Sequence, residues 1–240
     1  MTHAARERTR IVFACSGTAE SLTAIPRLAE SFDAEVVALT LDVGQSRELE
    51  GIRQAALAAG AVRAHVVDAR EEFARHCIAC SFEDRMPTTR PVVARKLVEI
   101  ARIEGASAIA HAGSDADHQE IEARAREEQW SQRVIAMQSH GDHSVEPTLW
   151  ERSPRKTESN GEPAKLEIAF ERGLPVSVNG VPMTLTELIE SVATIADAPA
   201  AVIFQAAHEA LGKQASRAVD ATVCLELSRG QHRVVSAFHS

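Results

Sequence analysis

The sequence predicts an α/β protein: a parallel, doubly wound sheet followed by a small α+β domain. Three observations predict it. Short apolar, β-branched runs alternate with helical runs from residue 11 to about residue 137, the pattern of strands joined by crossover helices. The first run ends in small residues, and a helix starts at once among hydroxyl groups. After a polar stretch over residues 138–163 the pattern changes to hairpin-type strands and two helices. The expected domains are therefore residues 1–163 and 164–240.

Ile11-Val-Phe-Ala14 reads as the first buried strand. Leu22, Ile25, Leu28, Ala29 and Phe32 recur at helical spacing, so residues 19–32 form an amphipathic helix, with Pro26 expected to kink it or delay its start. Residues 35–41 are the second strand, ending in Asp42-Val43-Gly44-Gln45. A helix over 48–59 stops at Gly60, residues 64–67 are a third strand, and 71–80 a further helix. Pro87 and Pro91 mark a break. Residues 92–104 are a helix stopped by Gly105, 106–112 a strand running into Gly113-Ser114, 120–130 a charged helix and 134–137 a strand. In the second domain, strands over 166–170 and 176–178 flank Gly173, and Asn179-Gly180 is a hairpin-type turn. Thr184 and Glu187 form a capping box for a helix to residue 196. A helix over 200–211 and strands over 222–227 and 233–237 complete the chain.

At 240 residues, 45% hydrophobic and 25% charged, the composition is that of a globular protein. The net charge of −8 disfavours a broad nucleic-acid-binding face. No apolar run approaches the roughly 20 residues of a transmembrane helix, and residues 1–10 lack the apolar core of a secretory signal. Four cysteines are too few for a disulfide framework at this length, so a reducing cytoplasm is expected.

Chemistry concentrates where strands end. Strand, small-residue turn and helix N-terminus together hold an anion, because unsatisfied N–H groups and the positive dipole end point out of the helix start. No Gly-Lys-Ser/Thr follows the first strand and G-x-G-x-x-G is absent. Ser16-Gly17-Thr18-Ala19-Glu20-Ser21 instead resembles the PP-loop of ATP pyrophosphatases, usually SGGxDS/T, enzymes that cleave ATP to AMP and pyrophosphate. With Leu39-Thr-Leu-Asp42-Val-Gly-Gln45 the resemblance narrows to the argininosuccinate synthase family. It extends to Arg90-Pro91 and the helix after it, residues 106–111, Leu149-Trp-Glu-Arg-Ser153 and residues 166–180.

The resemblance implies a HUP-like nucleotide-binding fold, ATP and Mg²⁺, small amino-acid-like substrates, a homo-oligomer, and adenylation of a carbonyl or ureido oxygen followed by attack of an amine. It implies catalytic roles for Ser16, Glu20 and Ser21. Nucleotide contacts fall on Ala14, Ser16, Gly17, Thr18, Glu20, Ser21, Leu41, Asp42, Gly44, His111 and Gly113. Substrate contacts fall on Thr88, Thr89, Arg90, Ser114, Asp117 and His118, and no metal ligand among the side chains is assigned.

Several motif positions depart from the family. In SGGLDTS, Thr18 replaces the second Gly, Glu20 the Asp, Ser21 the Thr and Leu22 the Ser, and a Cβ at Thr18 limits how closely backbone approaches phosphate. The family's TGKGNDQVRFE becomes Ser114-Asp-Ala-Asp-His-Gln-Glu-Ile-Glu122. Its Lys falls on Ala116, and its Arg on Ile121 or Glu122. A substrate carboxylate wants Arg or Lys, so the pocket is remodelled away from aspartate and citrulline. The family's YPLGTSLARP shrinks to Met86-Pro-Thr-Thr-Arg-Pro91. Two other readings stand beside the ligase. One is a PP-loop sulfur transferase using Cys77-Ile-Ala-Cys80, the other a nucleotide-binding subunit without catalysis.

Overall fold

The computed structural model of the chain describes residues 9–45, 48–82, 88–137, 148–151, 164–212, 220–228 and 231–239. These fall into two compact units. The first comprises residues 9–42, 48–69 and 89–137; the second comprises 43–45, 70–82, 88, 148–151 and the described residues from 164 onward.

In the first unit, β1 (Thr9–Ala14), α1 (Ala19–Phe32), β2 (Ala34–Asp42), α2 (Leu49–Ala58) and β3 (Arg63–Asp68) lead into α3 (Arg70–Phe82), which belongs to the second unit. The chain returns as α4 (Arg90–Ile103), β4 (Ala108–His111), α5 (Asp115–Glu127) and β5 (Arg133–Ala136). All five strands are parallel, in the order β3-β2-β1-β4-β5. Val12 sits between Val37 on β2 and Ile109 on β4.

Strand alternation sorts the core. Ile11, Phe13 and Val36 pack on one face with Ile25 and Leu28 of α1. Val12, Val37, Leu39 and Ile109 pack on the other with Leu97 and Val98 of α4 and Ile121 of α5. Apolar residues on consecutive positions of β1 therefore serve two cores, which is why the strand reads as an unbroken apolar run. The chain winds outward from β1 to β3, then crosses to β4. Its order reverses between β1 and β4, and the crevice at their C-terminal ends is where such sheets bind ligands.

α1 runs through Pro26 as one element, its buried stripe of Ala24, Ile25 and Leu28 outweighing the missing N–H. At the opposite, N-terminal edge of the sheet, Glu104 caps the end of α4 with its side chain 2% exposed. Its carboxylate meets Arg63 Nη1 at 2.8 Å, His65 Nε2 at 2.8 Å and Arg10 Nη1 at 3.4 Å, joining β1, β3 and α4.

The second unit carries β6 (Ala164–Glu171), β7 (Leu174–Val178), β8 (Val181–Pro182), α6 (Leu185–Ala196), α7 (Ala200–Leu211), β9 (Ala221–Ser228) and β10 (Gln231–His239). Its sheet is antiparallel, in the order β10-β9-β6-β7-β8. Asn179 and Gly180 turn at φ 50° and 77°, the positive angles a two-residue hairpin requires. Thr184 and Glu187 form the expected capping box. Glu71 of α3 adds a second tie, accepting from Leu185 N at 3.3 Å and Thr186 N at 3.1 Å at the start of α6. The expected linker over 138–163 lies outside the described residues, apart from a turn at 148–151.

Candidate functional site

The loop between β1 and α1 lies at the C-terminal end of the central strand. The ladder continues one residue past β1, with Cys15 N donating to Leu39 O at 2.9 Å and Thr40 Oγ1 to Cys15 O at 2.9 Å. Ser16 is exposed and Ala14 half-buried. Gly17 has φ +76°, and a Cβ there would stand 2.6 Å from Ile52 Cγ1, so only glycine lets the loop close onto α2. Thr18 is the N-cap of α1, extended at φ −70° and ψ 156°. Its Oγ1 accepts from Ser21 N at 3.3 Å and lies 3.1 Å from Ser16 Oγ. Ser21 is buried, and its hydroxyl donates to Thr18 O at 2.9 Å. Ser21 therefore serves the shape of the loop, while Ser16, Thr18 and the half-buried Glu20 lie nearer its surface.

Leu41 and Asp42 end β2 at the same edge, where Ala69 N donates to Asp42 O at 2.9 Å. His111 ends β4. It is 3% exposed, stacked on His118 with ring centroids 5.3 Å apart, and its Nε2 is 3.1 Å from His118 Nδ1. Burial, with the charge of His118 as a smaller cause and Asp117 opposing, pushes the His111 pKa down to about 4. The ring is neutral at pH 7, and its buried Nδ1 has no hydrogen-bond partner among the described residues.

α5 begins five residues earlier than the sequence reading placed it. Ser114 is its N-cap in a capping box with Asp117. Ser114 N and Oγ donate to Asp117 Oδ2 at 2.7 and 2.8 Å, and Asp117 N donates to Ser114 Oγ at 3.3 Å. Gly113 makes room for this, since a Cβ there would meet Asp117 Oδ2 at 2.8 Å. Arg90, at the start of α4, pairs through Nε with Asp117 Oδ1 and through Nη1 with Glu120 Oε2 at 3.3 Å. Burial alone would raise the Asp117 pKa, but the Ser114 hydrogen bonds and the Arg90 charge outweigh it and hold the carboxyl below its usual range. Glu120 is the residue that sequence reasoning missed. It lies three positions after Asp117, hence on the same helix face.

The remaining residues sort by unit. Thr89 is the N-cap position of α4, without a side-chain capping bond. Thr88 and Gly44 belong to the second unit. Gly44, at φ +82°, lies against Leu149, where a Cβ would stand 2.5 Å from Leu149 Cβ. Leu149 N donates to Val43 O at 3.3 Å, so the resemblance segments at 43–45 and 148–151 pack together.

Cys77 and Cys80 are 0% and 1% exposed on α3. Burial, with the charges of Cys80 and Glu151 as smaller causes, pushes the Cys77 thiol well up. His76 Nε2 lies 3.5 Å from Cys80 Sγ. A C-x-x-C pair can also be half of a zinc site, but His140 and His143, two of the histidines that could complete one, lie outside the described residues. Among the described residues no group of three or more His, Cys, Asp and Glu side chains is arranged to hold a metal ion.

Comparison with known proteins adds to this geometry. Residues 10–141 match the arginosuccinate synthase N-terminal HUP domain and residues 127–203 the arginosuccinate synthase C-terminal domain. The chain is 33% identical over 245 residues to argininosuccinate synthase of Symbiobacterium thermophilum, a match covering 78% of this chain and 61% of that protein. It is 32% identical over 240 residues to argininosuccinate synthase of Bacillus subtilis, covering 76% and 59%. It thus spans about three-fifths of the length of the curated relatives it matches. Among solved structures, a universal stress protein in complex with cAMP matches 55% of this chain and 97% of its own at 17% identity and a TM-score of 0.34, too low to bear on function.

Proposed function

The chain belongs to the argininosuccinate synthase family, and from that premise we propose that it is an ATP-dependent, AMP-forming ligase acting on a substrate pair other than citrulline and aspartate. The observation that carries the proposal is the Ser16–Ser21 loop, a strand–turn–capped-helix unit at the point where the strand order reverses between β1 and β4. The relatives' printed name supplies the reaction class.

The residues present fit a nucleotide in their main features. Gly17 keeps the loop low, the start of α1 offers its dipole, and His111 Nδ1 is a buried polar atom awaiting a partner among the described residues. In this reading Ser16 donates a hydroxyl hydrogen bond to a phosphate oxygen, Thr18 lines the loop as the cap of α1, and Ser21 holds Thr18 in place. Leu41, Asp42, His111 and Gly113 of the first unit take the nucleoside side. Mg²⁺, when bound, would neutralise charge on the leaving pyrophosphate, and Glu20 is the carboxylate that the Ser16–Ser21 loop carries.

A carbonyl or ureido oxygen attacks the α-phosphorus, the bond to the bridging β-phosphate oxygen breaks, and pyrophosphate leaves. An amine then adds to the activated carbon, and AMP leaves with the bonding electrons. The chain contributes positioning and electrostatic stabilisation rather than covalent chemistry. Along the chain the proposed nucleotide-binding domain is 1–163 and a reduced synthetase-like domain 164–240, with residues 43–45, 70–82 and 148–151 of the former grouped in the second unit. A cytoplasmic homo-oligomer working on small amino-acid-like substrates accords with this reading. Among the described residues no helix is long and apolar enough to cross a membrane.

A second reading, a nucleotide-binding subunit without catalysis, is favoured by Thr18, whose hydroxyl is engaged inside the loop. Sulfur transfer is disfavoured, because it needs an accessible thiolate and both cysteines of α3 are buried.

The test is AMP formation from ATP·Mg²⁺ across a matrix of ureido or carboxylate acceptors and amines. AMP and pyrophosphate in equal amounts with at least one pair, and negligible product from citrulline with aspartate, are expected. Turnover of citrulline and aspartate at the rate of a full-length relative overturns the different-substrate reading. ATP binding without AMP from any pair favours the second reading.

A further inference from the structure

His118 stands in the first turn of α5 with its ring against His111 at the end of β4. Building on the ligase reading, which puts His111 on the nucleoside side of the crevice, we propose that His118 is a positioning residue rather than a substrate contact. It fixes the His111 ring at the nucleotide and, by taking up a proton, sets which nitrogen of that ring carries the hydrogen.

The first argument is placement. The His111 carbonyl accepts from Met137 N at 2.8 Å, just past β5, so its backbone is held. Its ring is 3% exposed, and among the described residues the hydrogen-bond partner of its side chain is His118, with Nε2 3.1 Å from His118 Nδ1. The ring planes lie 23° apart with centroids at 5.3 Å, so His118 bounds the ring as well as bonding it. The Ser114–Asp117 capping box fixes this turn, where His118 N donates to Ser114 O at 3.0 Å. The cap thereby sets where the His118 ring stands.

The second argument is a count of hydrogens. A neutral imidazole has one N–H and one lone pair, and an imidazolium has two N–H groups. While both rings are neutral, either can donate. Once His118 is protonated its Nδ1 can only donate, so His111 Nε2 must accept and the one hydrogen of the neutral His111 ring sits on Nδ1. The proton settles on partly exposed His118, because burial, with the His118 charge as a smaller cause, pushes the His111 pKa down to about 4. This outcome is the same whichever ring donates beforehand. Nδ1 is buried without a hydrogen-bond partner among the described residues. A nucleoside presents mainly acceptors, its ring nitrogens and ribose oxygens, so an N–H at this place suits it.

The third argument is the surrounding charge. Asp117 acts on His111 against the effect of His118, and it is paired with Arg90 of α4, as is Glu120. Glu122 pairs with Arg126 at 2.9 Å, and Asp115 is the other acid of the first turn. At the strand ends beside His111, Ala14, Ala136 and Met137 carry no charge, and the Cys15 thiol is buried 3.6 Å from Ser21 Oγ. Proton uptake by His118 is therefore the titration that reaches His111 between pH 8 and pH 6.

The experiment applies two readouts to the full chain. Ring-nitrogen NMR, assigned with His111→Gln and His118→Asn, is expected to show His111 staying neutral and carrying its hydrogen on Nδ1 as pH falls from 8 to 6. Calorimetry with ATP·Mg²⁺ is expected to show about tenfold weaker binding by His118→Ala. His118→Asn, whose amide can donate or accept at the same place, is expected to restore affinity to within about threefold. The affinity of the unsubstituted chain relative to His118→Asn should rise from pH 8 to pH 6, a ratio in which the titration of ATP itself cancels. A folded His118→Ala chain with unchanged ATP affinity, no rescue by His118→Asn, a ratio constant with pH, or a His111 hydrogen left on Nε2 at pH 6 would each overturn the proposal. Absence of ATP binding by the unsubstituted chain would instead refute the nucleotide reading on which the proposal rests.

Discussion

Thr18 and Ser21 hold each other twice: the Thr18 hydroxyl accepts from the Ser21 amide at 3.3 Å, and the Ser21 hydroxyl donates to the Thr18 carbonyl at 2.9 Å. The loop has replaced a glycine with a self-capping residue, gaining local order and losing room beside its backbone. Thr18→Gly is therefore expected to tighten ATP binding several-fold at a stability cost of a few tenths of a kcal/mol, whereas Thr18→Ala costs about 1 kcal/mol through the lost cap. Weaker ATP binding by Thr18→Gly would mean that the hydroxyl itself holds phosphate.

Glu104 ties β1, β3 and α4 together from a buried position. Its burial works to raise its pKa, but the His65 and Arg63 hydrogen bonds and charges win and lower it. Its contribution is thus present above the ordinary carboxylate pKa and is lost as pH falls through the lower folded value. Glu104→Gln should cost about 1–3 kcal/mol near neutral pH, since three partners lose a charged acceptor, and the deficit should shrink in acid. Urea unfolding at several pH values reads this directly, and an unchanged midpoint near pH 7 would contradict it.

His111 and His208 also lose stability toward acid, here because burial disfavours their charged forms. Burial pushes both pKa values down to about 4. Between the ordinary value near 6.5 and about 4, the unfolded chain binds more protons than the folded one. Stability should fall as pH drops through that window, by up to about 3 kcal/mol for each histidine. His208→Gln, in the second unit, should flatten the part of the slope that His208 contributes. Thermal melts from pH 7 to pH 4 measure it, and a melting temperature constant over that range would contradict the assignment.

The two cysteines of α3 should be inert. Iodoacetamide is expected to label partly exposed Cys224 in the folded chain and to reach Cys77 and Cys80 only after unfolding. A Cys77→Ala, Cys80→Ala chain that remains folded should keep its ATP-dependent AMP formation. Loss of product with ATP affinity intact would restore the sulfur-transfer reading.

Features governed by local pattern were legible in the sequence. The strand at Ile11–Phe13, the capping box at Thr184 and Glu187 and the turn at Asn179-Gly180 announce themselves through side-chain period, spacing and φ preference. Pro26 does not delay the start of α1, which runs from Ala19, because the buried stripe of Ala24, Ile25 and Leu28 offsets its local penalty. The start of α5 was missed because Asp115-Ala-Asp-His118 offers no apolar face, and because its capping box uses Asp in place of the usual Glu or Gln. In the site, the strand–turn–helix shape of residues 11–21 could be read from those residues, with Gly17 turning and Thr18 capping as their types allow. The Arg90 pair with Asp117 and Glu120 could not, since it joins the starts of two helices well separated in sequence. The burial of Cys77 and Cys80 is what small apolar side chains on a helix lead one to expect.

A calorimetric titration of ATP·Mg²⁺ into the folded chain asks whether the crevice between β1 and β4 holds ATP. Saturable binding with a dissociation constant between about 1 μM and 1 mM is predicted. It should weaken by at least about tenfold in Gly17→Ala, where the added Cβ forces the loop away from Ile52. No heat at millimolar ATP from a chain shown to be folded by circular dichroism would rule out this crevice as the nucleotide site.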